Sequence, residues 1–434
     1  MHHPGFKLTL LAALVGFTFN AHAESSTTSL EAKLDQLQQE MAALKQQLAD
    51  EKAARQTQLD GAVKAAVASN MADNPPLASD TSIGGYGELS YSNYRDGSVK
   101  DQVDFNRFVV FLGHRFNDKL RFYSELELEH AVSSADDKGE IEVEQGYIEY
   151  NLTPKANLRA GLMLVPLGIL NETHEPPTYY GVLRNEVETR IIPTTMRAVG
   201  VVLQGRVLDN ALEYNVGLVT GFDASKYAGD ARYAIKDMHT EASQAAANNF
   251  AVYAGLNYRQ PGWLLGAGLY TGNTAQNGHG ENSSTFLEGK NARLTLWDIH
   301  GKYSVGDLDL QALYARGTLG DTLAINQAFN NGAGVVPASG GAAPKSFYGW
   351  YGQAAYHVWK SGDMRLSPFV RYERYNTQAS VDAGYTADPL NDETVVTVGA
   401  HFNLSREVVF KADWQNYKTD NKKDRFNLGV GYMF

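Results

Sequence analysis

The chain has 434 residues, enough for one large barrel with an extension or for two or three soluble domains. It contains no cysteine, which excludes a disulfide framework and a thiolate metal site. The formal net charge of −11 argues against a general nucleic-acid-binding protein, because such proteins need a basic face.

The amino-terminal residues 1–23 predict a secretory signal peptide. Lys7 supplies positive charge, Leu8 to Phe19 form an apolar run, and Ala21-His22-Ala23 has the small-x-small pattern of a cleavage site. The alternative is a membrane anchor, but the apolar run is too short to span a bilayer.

Residues 24–72 predict a coiled coil in the periplasm. Apolar residues recur four and three positions apart, which is the seam of a coiled coil. They are Leu30, Leu34, Leu37, Met41, Leu44 and Leu48. So short a helix cannot bury its seam alone, so we expect it to associate with further copies of itself. The alternative is a helix packed on its own domain. A linker at residues 73–82 contains Pro75 and Pro76 and ends the helix.

From residue 83 to residue 434 the hydrophobic period becomes two, as in β-strands. In the clearest segment, Leu120, Phe122 and Leu126 alternate with polar residues that include Glu125 and Glu127. Mean hydropathy stays low at −0.34, as expected where only alternate residues meet lipid. The sequence predicts about sixteen strands and an all-β transmembrane fold, an antiparallel outer-membrane β-barrel with the coiled coil attached.

The connections between these strands alternate strictly between short turns and long polar loops. This order is typical of an outer-membrane barrel, and a soluble β-sandwich has no reason to keep it. The last strand, Arg425 to Phe434, is predicted to close the barrel beside Ile83 to Tyr94. Its final aromatic residue, Phe434, resembles the signal that the barrel assembly machinery reads.

The third long loop, Val165 to Arg197, is rich in proline and apolar residues, which predicts an ordered loop with a buried side. We expect its charged residues to line a pore constriction that sets ion selectivity. These candidates are Glu175, Arg184, Glu186, Glu188 and Arg190. The alternative is that these charges form salt bridges that hold the loop to the wall. Strand periodicity also predicts a set of lumen-facing residues, namely Arg107, Arg121, Glu125, Glu127, Arg159, Arg365, Arg371 and Lys411.

Four segments resemble the phosphate-selective porin O/P superfamily, and the resemblance extends over about residues 83–434. They are Gly85-Tyr86-Gly87-Glu88-Leu89, Asp104-Phe105-Asn106-Arg107-Phe108, Glu125 to His130 and Leu164 to Thr195. The resemblance implies a homotrimer of three pores and a transport role. The chain departs from the phosphate-selective members in its scattered arginines, few loop lysines and many acidic residues. The fold and the transport role are therefore carried over, but the phosphate site is not.

The predicted function is passive diffusion of small hydrophilic, anionic solutes of the phosphate or dicarboxylate class through an outer-membrane porin. The alternatives are a general or sugar-type porin with little charge selectivity, and an envelope tether whose coiled coil binds the cell wall. An enzyme is not predicted, because His174 and Glu175 lack a positioned serine. No cofactor, metal or nucleic acid is expected. The expected location is the outer membrane of a Gram-negative bacterium, in contact with lipid and lipopolysaccharide.

Overall fold

The computed structural model describes residues 80–134, 138–330, 332 and 341–434. The predicted signal peptide and coiled coil lie outside the described residues. So does most of the predicted linker, although its last two residues, Thr81 and Ser82, already belong to the first strand. Within the described residues, no helix combines the length and the apolar character needed to cross a membrane.

Every strand of the described chain belongs to a single sheet. The strands are β1 (Thr81–Tyr94), β2 (Gln102–Arg115), β3 (Leu120–Glu129), β4 (Ile141–Thr153), β5 (Ala156–Leu164), β6 (Arg197–Val207), β7 (Leu212–Thr220), β8 (Phe250–Gln260), β9 (Trp263–Asn273), β10 (Arg293–Val305), β11 (Leu308–Leu319), β12 (Ser346–Tyr356), β13 (Trp359–Ser361), β14 (Met364–Ser380), β15 (Asp392–Asn403), β16 (Val408–Tyr417) and β17 (Arg425–Met433).

The sheet closes on itself. Sequence neighbours pair antiparallel except for β12 and β13, and β1 also pairs with β17, so the described strands leave no open edge. The short strand β13 follows β12 along the same partner, β14, so the two occupy one position in the wall. The result is the closed, sixteen-stranded antiparallel barrel that the sequence predicted. Closure satisfies the edge hydrogen bonds that an open sheet would expose.

Connections at the two ends of the barrel differ in length. At one end, called the turn end, residues 154–155 and 261–262 suffice to join neighbouring strands. At the other, called the loop end, the connections are long and hold two helices, α1 (Val187–Arg190) and α2 (Thr322–Phe329). They also hold short 3-10 segments at Pro176–Thr178, Ala224–Lys226, Ala231–Tyr233, Lys236–Met238, Gln276–Gly278, Thr285–Leu287, Pro389–Asn391 and Asn421–Lys423.

The outer surface of the wall is apolar, as the period-two pattern requires. In β6, Val199, Val201 and Leu203 are 37%, 48% and 40% exposed, whereas Val202 between them is 2% exposed and faces inward. Leu265 on β9 and Val398 on β15 repeat the outward pattern. A continuous apolar surface of this kind is unstable in water, and it matches the lipid-facing band of a membrane barrel.

The period-two pattern predicts a strand from Met364 to Glu373, preceded by a turn at Trp359 to Asp363. Both boundaries are wrong, because β14 continues to Ser380 and Trp359–Ser361 is a strand. The extension of β14 pairs with β12 on one side and with β15 on the other. Its polar composition suggested a loop, but its inward residues Tyr375 and Thr377 are buried.

The carboxyl terminus lies against the start of β1. The Phe434 and Gly85 backbones exchange two N–H···O hydrogen bonds of 2.9 Å each. A side chain at Gly85 would place its Cβ 2.2 Å from the Val109 carbonyl oxygen and 3.0 Å from the Phe434 ring, so this junction requires glycine. The role of Phe434 as an assembly signal stays a prediction.

Candidate functional site

The third long loop, residues 165–196 between β5 and β6 and called L3 below, lies inside the barrel. Wall glycines reveal its course, because each makes room for a close approach of the loop. A Cβ at Gly268 of β9 would lie 2.6 Å from Leu167, and one at Gly431 of β17 would lie 2.2 Å from Pro176. The loop therefore extends across the interior from β9 to β17.

Asn171 holds the two ends of L3 together. Its side-chain amide donates to the carbonyl oxygens of Val165 (2.6 Å) and Met196 (2.9 Å), and its Oδ1 accepts from the Met196 N–H at 2.8 Å. The Asn171 side chain is 5% exposed. This closed base fixes the direction in which the loop enters the lumen.

Val182 of L3 lies close enough to β17 for an engineered disulfide to link the two. A Cβ built at Gly429 lies 3.6 Å from the Val182 Cβ, within the range of about 3.5–4.5 Å seen in disulfides. Because the chain has no cysteine of its own, Val182→Cys with Gly429→Cys should oxidise to one intramolecular disulfide, detected by mass spectrometry of the linked peptides. Gly352→Cys paired with Val182→Cys is the control, since a Cβ at Gly352 has no neighbour within 4 Å. Free thiols in both pairs would place L3 elsewhere.

Glu186 and Arg190, two of the predicted constriction residues, bind L3 to the wall. Glu186 pairs with Arg190, accepts from the Tyr417 hydroxyl at 2.7 Å and lies 3.6 Å from Arg425 Nη2. Burial raises the pKa of the Glu186 carboxyl, but Arg190 and Arg425 more than offset this and lower it to about 2. Glu186 is therefore ionised at neutral pH. The Arg190 guanidinium also lies over the Tyr375 ring of β14 at 5.6 Å.

Glu188, the third of these residues, ties the loop both to itself and to β12. Its Oε1 accepts the Leu170 N–H at 2.7 Å, and its Oε2 accepts from Asn185 and from the Tyr351 hydroxyl, each at 2.8 Å. The side chain is 4% exposed. These contacts are those of the salt-bridge alternative, in which the loop charges hold L3 in place. A role for the five residues in selectivity stays a prediction.

Arg184 and Glu175 differ from these pinned residues. All three guanidinium nitrogens of Arg184 and the Oε2 atom of Glu175 are buried without a hydrogen-bond partner among the described residues. Burial raises the pKa of Glu175, and the charges of His174 and Arg184 only partly oppose this.

The eight residues predicted to face the lumen all lie on the inner side of the wall, in two groups. The first group is covered by L3. Arg107 pairs with Glu88 (2.9 Å) and Glu127 (3.3 Å), and Arg371 pairs with Glu373 (2.8 Å). The ammonium of Lys411 lies 3.6 Å from the centre of the Tyr179 ring on L3. Glu125 belongs to this group too and is 2% exposed.

The second group lies toward the turn end and is more open. Arg121, Arg159 and Arg365 belong to it, and three further basic residues on β6, β8 and β10 join them. These six, called the turn-end cluster, are Arg121, Arg159, Arg206, Arg259, Lys302 and Arg365. Arg206, Arg259 and Lys302 are not among the residues that the sequence predicts to face the lumen. Their position along the strand could have identified them, since each lies at an inward-facing position close to a short turn.

Four carboxylates accompany the turn-end cluster, namely Glu149, Glu172, Glu213 and Asp309. Arg159 Nε donates to Glu149 Oε2 at 2.8 Å, and Glu213 lies 3.4 Å from Arg206 and 3.7 Å from Arg259. Glu172 comes from L3. Burial, together with the charge of Glu213, raises the pKa of Glu172 to about 7. Basic groups thus outnumber acidic groups here by six to four, and more so when Glu172 is protonated.

His174 of L3 lies between two wall carboxylates. Its Nε2 atom is 3.5 Å from Glu125 on β3 and 3.5 Å from Glu144 on β4, and its Nδ1 atom is 3.1 Å from the Asn171 carbonyl oxygen. Burial lowers the pKa of His174, but Glu144 and Glu125 more than offset this and raise it to about 10. None of these partners is a hydroxyl or thiol of the kind that an imidazole activates in nucleophilic catalysis.

No protein-family model matches the chain. It is 31% identical over 359 residues to an uncharacterized protein of Aquifex aeolicus (strain VF5), and the match covers 81% of this chain and 80% of the relative. The chain therefore belongs to the same family as that Aquifex protein.

Solved structures of outer-membrane channels share the fold. OmpF of Salmonella typhi, solved with daunomycin, has a TM-score of 0.55 at 12% identity and covers 82% of this chain and 98% of its own. The channel DcaP of Acinetobacter baumannii has a TM-score of 0.50 at 13% identity, covering 84% and 100%. An anion-selective porin from Comamonas acidovorans has a TM-score of 0.50 at 12% identity, covering 82% and 100%. The chain thus has the fold of an outer-membrane porin.

Proposed function

We propose that this protein is an outer-membrane porin that lets small hydrophilic solutes diffuse through a water-filled lumen narrowed by L3. The observation that carries this proposal is a closed sixteen-stranded barrel with an apolar outer face, a charged inner face and a long loop folded inside. Passive diffusion needs no bound cofactor and no catalytic group. The finer assignment to the phosphate-selective superfamily rests on the sequence resemblance alone.

The turn-end cluster supports a preference for anions. Six basic side chains face four carboxylates, and Arg206, at 40% side-chain exposure, is open to solvent. A cavity with an excess of one charge raises the local concentration of the opposite ion. We therefore propose anionic solutes of the phosphate or dicarboxylate class. The paired charges of L3 favour the alternative, a general or sugar-type porin with little charge selectivity.

Liposome swelling distinguishes these solute classes. Vesicles that contain the full-length protein should swell faster in phosphate or succinate than in a neutral sugar of similar size. Equal rates for all three would support the general porin and contradict the anion preference. No swelling with any solute, from vesicles that contain folded barrels, would contradict the porin itself.

Glu172 predicts a pH-dependent selectivity. Its carboxyl, with a pKa of about 7, is neutral below that pH and negative above it, so the lumen loses positive charge as pH rises. The reversal potential across a potassium chloride gradient should indicate a stronger anion preference at about pH 6 than at about pH 8. Glu172→Gln should keep the stronger preference at both pH values.

The control for this experiment is Glu281→Gln, which removes a glutamate whose side chain is 63% exposed in the connection between β9 and β10. This variant should show the same pH dependence as the unmodified protein. A reversal potential of the unmodified protein that does not change between the two pH values would contradict the role of Glu172.

The position in the membrane and the assembly are part of the same proposal. Aromatic pairs lie on the outer face near both ends of the wall, with Trp297 and Tyr314 toward the loop end and Tyr258 and Trp263 toward the turn end. Such belts are typical of the two membrane interfaces. We propose a homotrimer in contact with lipid and lipopolysaccharide, with the seam of residues 30–48 joining the chains in the periplasm.

A further inference from the structure

Three side chains of types that bind metal ions converge from three elements where L3 meets the wall. Glu125 lies on β3, Glu144 on β4 and His174 on L3, and one ligand atom of each lies within 4.8 Å of the other two. The side chains are 2%, 0% and 4% exposed. They are far apart in sequence and come together only in the folded barrel.

The spacing is that of ligands around a metal ion. His174 Nε2 lies 3.5 Å from Glu125 Oε1 and 3.5 Å from Glu144 Oε2, beyond the 2.7–3.2 Å of an ordinary N–H···O hydrogen bond. A tetrahedral ion with bonds of 2.0–2.2 Å separates its ligand atoms by about 3.4 Å. The two distances from His174 Nε2 therefore match the edge of such a tetrahedron.

Neighbouring groups orient the ligand atoms. The Asn171 carbonyl can only accept, so His174 Nδ1 carries a proton, and a metal ion that binds must displace the second proton, which the carboxylates favour on Nε2. Gln145 donates to Glu125 Oε2 at 2.7 Å, which leaves Oε1 for the site. Metal-binding histidines and carboxylates are held in this way by hydrogen bonds to their outer atoms.

The backbone conformation of β4 directs the Glu144 side chain toward Glu125 and His174. The pairing of β3 with β4 shifts between Glu125 and Leu126, so that Gln145 and Val143 have partners and Glu144 forms a bulge. Bulges redirect a side chain and are common beside functional sites. Both Glu144 oxygens are buried without a hydrogen-bond partner among the described residues. The Tyr86 hydroxyl is also buried without a hydrogen-bond partner among the described residues, and the centres of the Tyr86 and His174 rings lie 5.8 Å apart.

Buried polar atoms almost always have a partner, so this group of unpaired atoms points to a bound species. The neighbouring trio of Glu127, Glu142 and Glu144 is less suitable, because Glu127 pairs with Arg107 and Glu142 pairs with Arg197. Around His174, three carboxylates (Glu125, Glu144 and Glu175) exceed the single guanidinium of Arg184 in charge.

We propose that Glu125 Oε1, Glu144 Oε2 and His174 Nε2 bind one divalent transition-metal ion, of which Zn²⁺ fits the ligand set best. One imidazole and two carboxylates are ligands that Zn²⁺ accepts, and three protein ligands leave one tetrahedral position for water. The ion ties L3 to β3 and β4 where the loop turns along the wall. This proposal does not depend on which solutes pass through the barrel.

Metal content of the full-length protein tests the proposal. Protein purified in detergent without a histidine tag is stripped with EDTA, exposed to a slight excess of zinc chloride and passed through a desalting column. One zinc ion per chain should remain. Glu144→Gln and His174→Gln should each lose it, because each removes one ligand with little change in volume.

His300→Gln is the matched control. His300 is an equally buried histidine of the inner wall, but both its nitrogens are engaged, with Asp298 at 2.6 Å and Asn257 at 2.9 Å. This variant should retain one zinc ion per chain. Heat-modifiable mobility on gels verifies that every protein compared is a folded barrel.

A second measurement needs no variant. Co²⁺ bound to the stripped, unmodified protein should show the intense visible absorption of a tetrahedral site, and Zn²⁺ should displace it. The proposal is overturned if the folded, unmodified protein retains neither ion. It is overturned equally if Glu144→Gln and His174→Gln retain as much zinc as the unmodified protein.

Discussion

Replacing residues 173–194 with two glycines is expected to raise the single-channel conductance several-fold and to weaken ion selectivity. The excised segment contains the part of L3 that crosses the lumen from Pro176 to the α1 helix, whereas Asn171 at the base of the loop remains. The wall is held by its own backbone ladder, so the barrel should still close without this segment. Single-channel recordings in planar bilayers measure the change.

The control shortens a different loop. Replacing residues 383–387, in the connection between β14 and β15, with two glycines should leave the conductance as it is, because several of these residues are exposed. If the L3 excision also leaves the conductance unchanged while the barrel is folded, L3 does not narrow the pore.

Arg371→Met is expected to destabilise the folded barrel by about 3 to 5 kcal/mol, the usual cost of leaving one partner of a buried ion pair alone. Arg371 is 2% exposed, and Glu373 beside it is 0% exposed. Arg371 Nε donates to Glu373 Oε2 at 2.8 Å, and Glu373 Oε1 accepts the Glu186 N–H of L3 at 2.7 Å. The loss of Arg371 therefore leaves a buried carboxylate with one hydrogen bond. Urea unfolding from lipid vesicles, followed by tryptophan fluorescence, measures the loss.

A second substitution separates charge from packing. Arg371→Met combined with Glu373→Gln should recover most of the stability, because the neutral amide needs no counter-charge. Arg206→Met is the matched control. Its side chain is 40% exposed and pairs with Glu213 at 3.4 Å, so the expected cost is about 0 to 1 kcal/mol. Equal losses in Arg371→Met and Arg206→Met would show that the buried pair has no special role.

The barrel could be predicted from the sequence because a membrane wall imposes two strong regularities. Alternation places every second residue in lipid. Antiparallel pairing places successive connections at opposite ends of the wall, and outer-membrane barrels have short turns at one end and long loops at the other. The end of β14 was missed because the wall continues beyond the apolar band. There, an outward residue such as Arg374 is polar, so the hydrophobic pattern that identifies a strand disappears.

The interior could be predicted only in part. The period-two pattern placed Arg107 and Arg371 on the inner face, but it could not show that L3 covers them, because packing of a loop across a lumen is a tertiary contact. Burial of Glu186 and Glu188 follows from that packing. Both residues make contacts between the loop and the wall, and their role at a constriction stays a prediction.

The convergence of side chains around His174 could not be predicted from the sequence, for a related reason. Glu144 faces the interior because of a one-residue bulge, and a bulge reverses the inward and outward positions on either side of it. Alternation alone accounts for the inward position of Glu149 on the same strand, whereas the convergence of Glu144 with a loop histidine depends on both the bulge and the fold of L3.

Conductance tests the central claim, that this barrel is a passive aqueous channel. Full-length protein, verified as folded by its heat-modifiable mobility, is inserted into a planar lipid bilayer in potassium chloride. The predicted result is discrete current steps of uniform size whose amplitude rises with salt concentration, without any added energy source. Folded protein that enters the bilayer and carries no ion current would contradict the account.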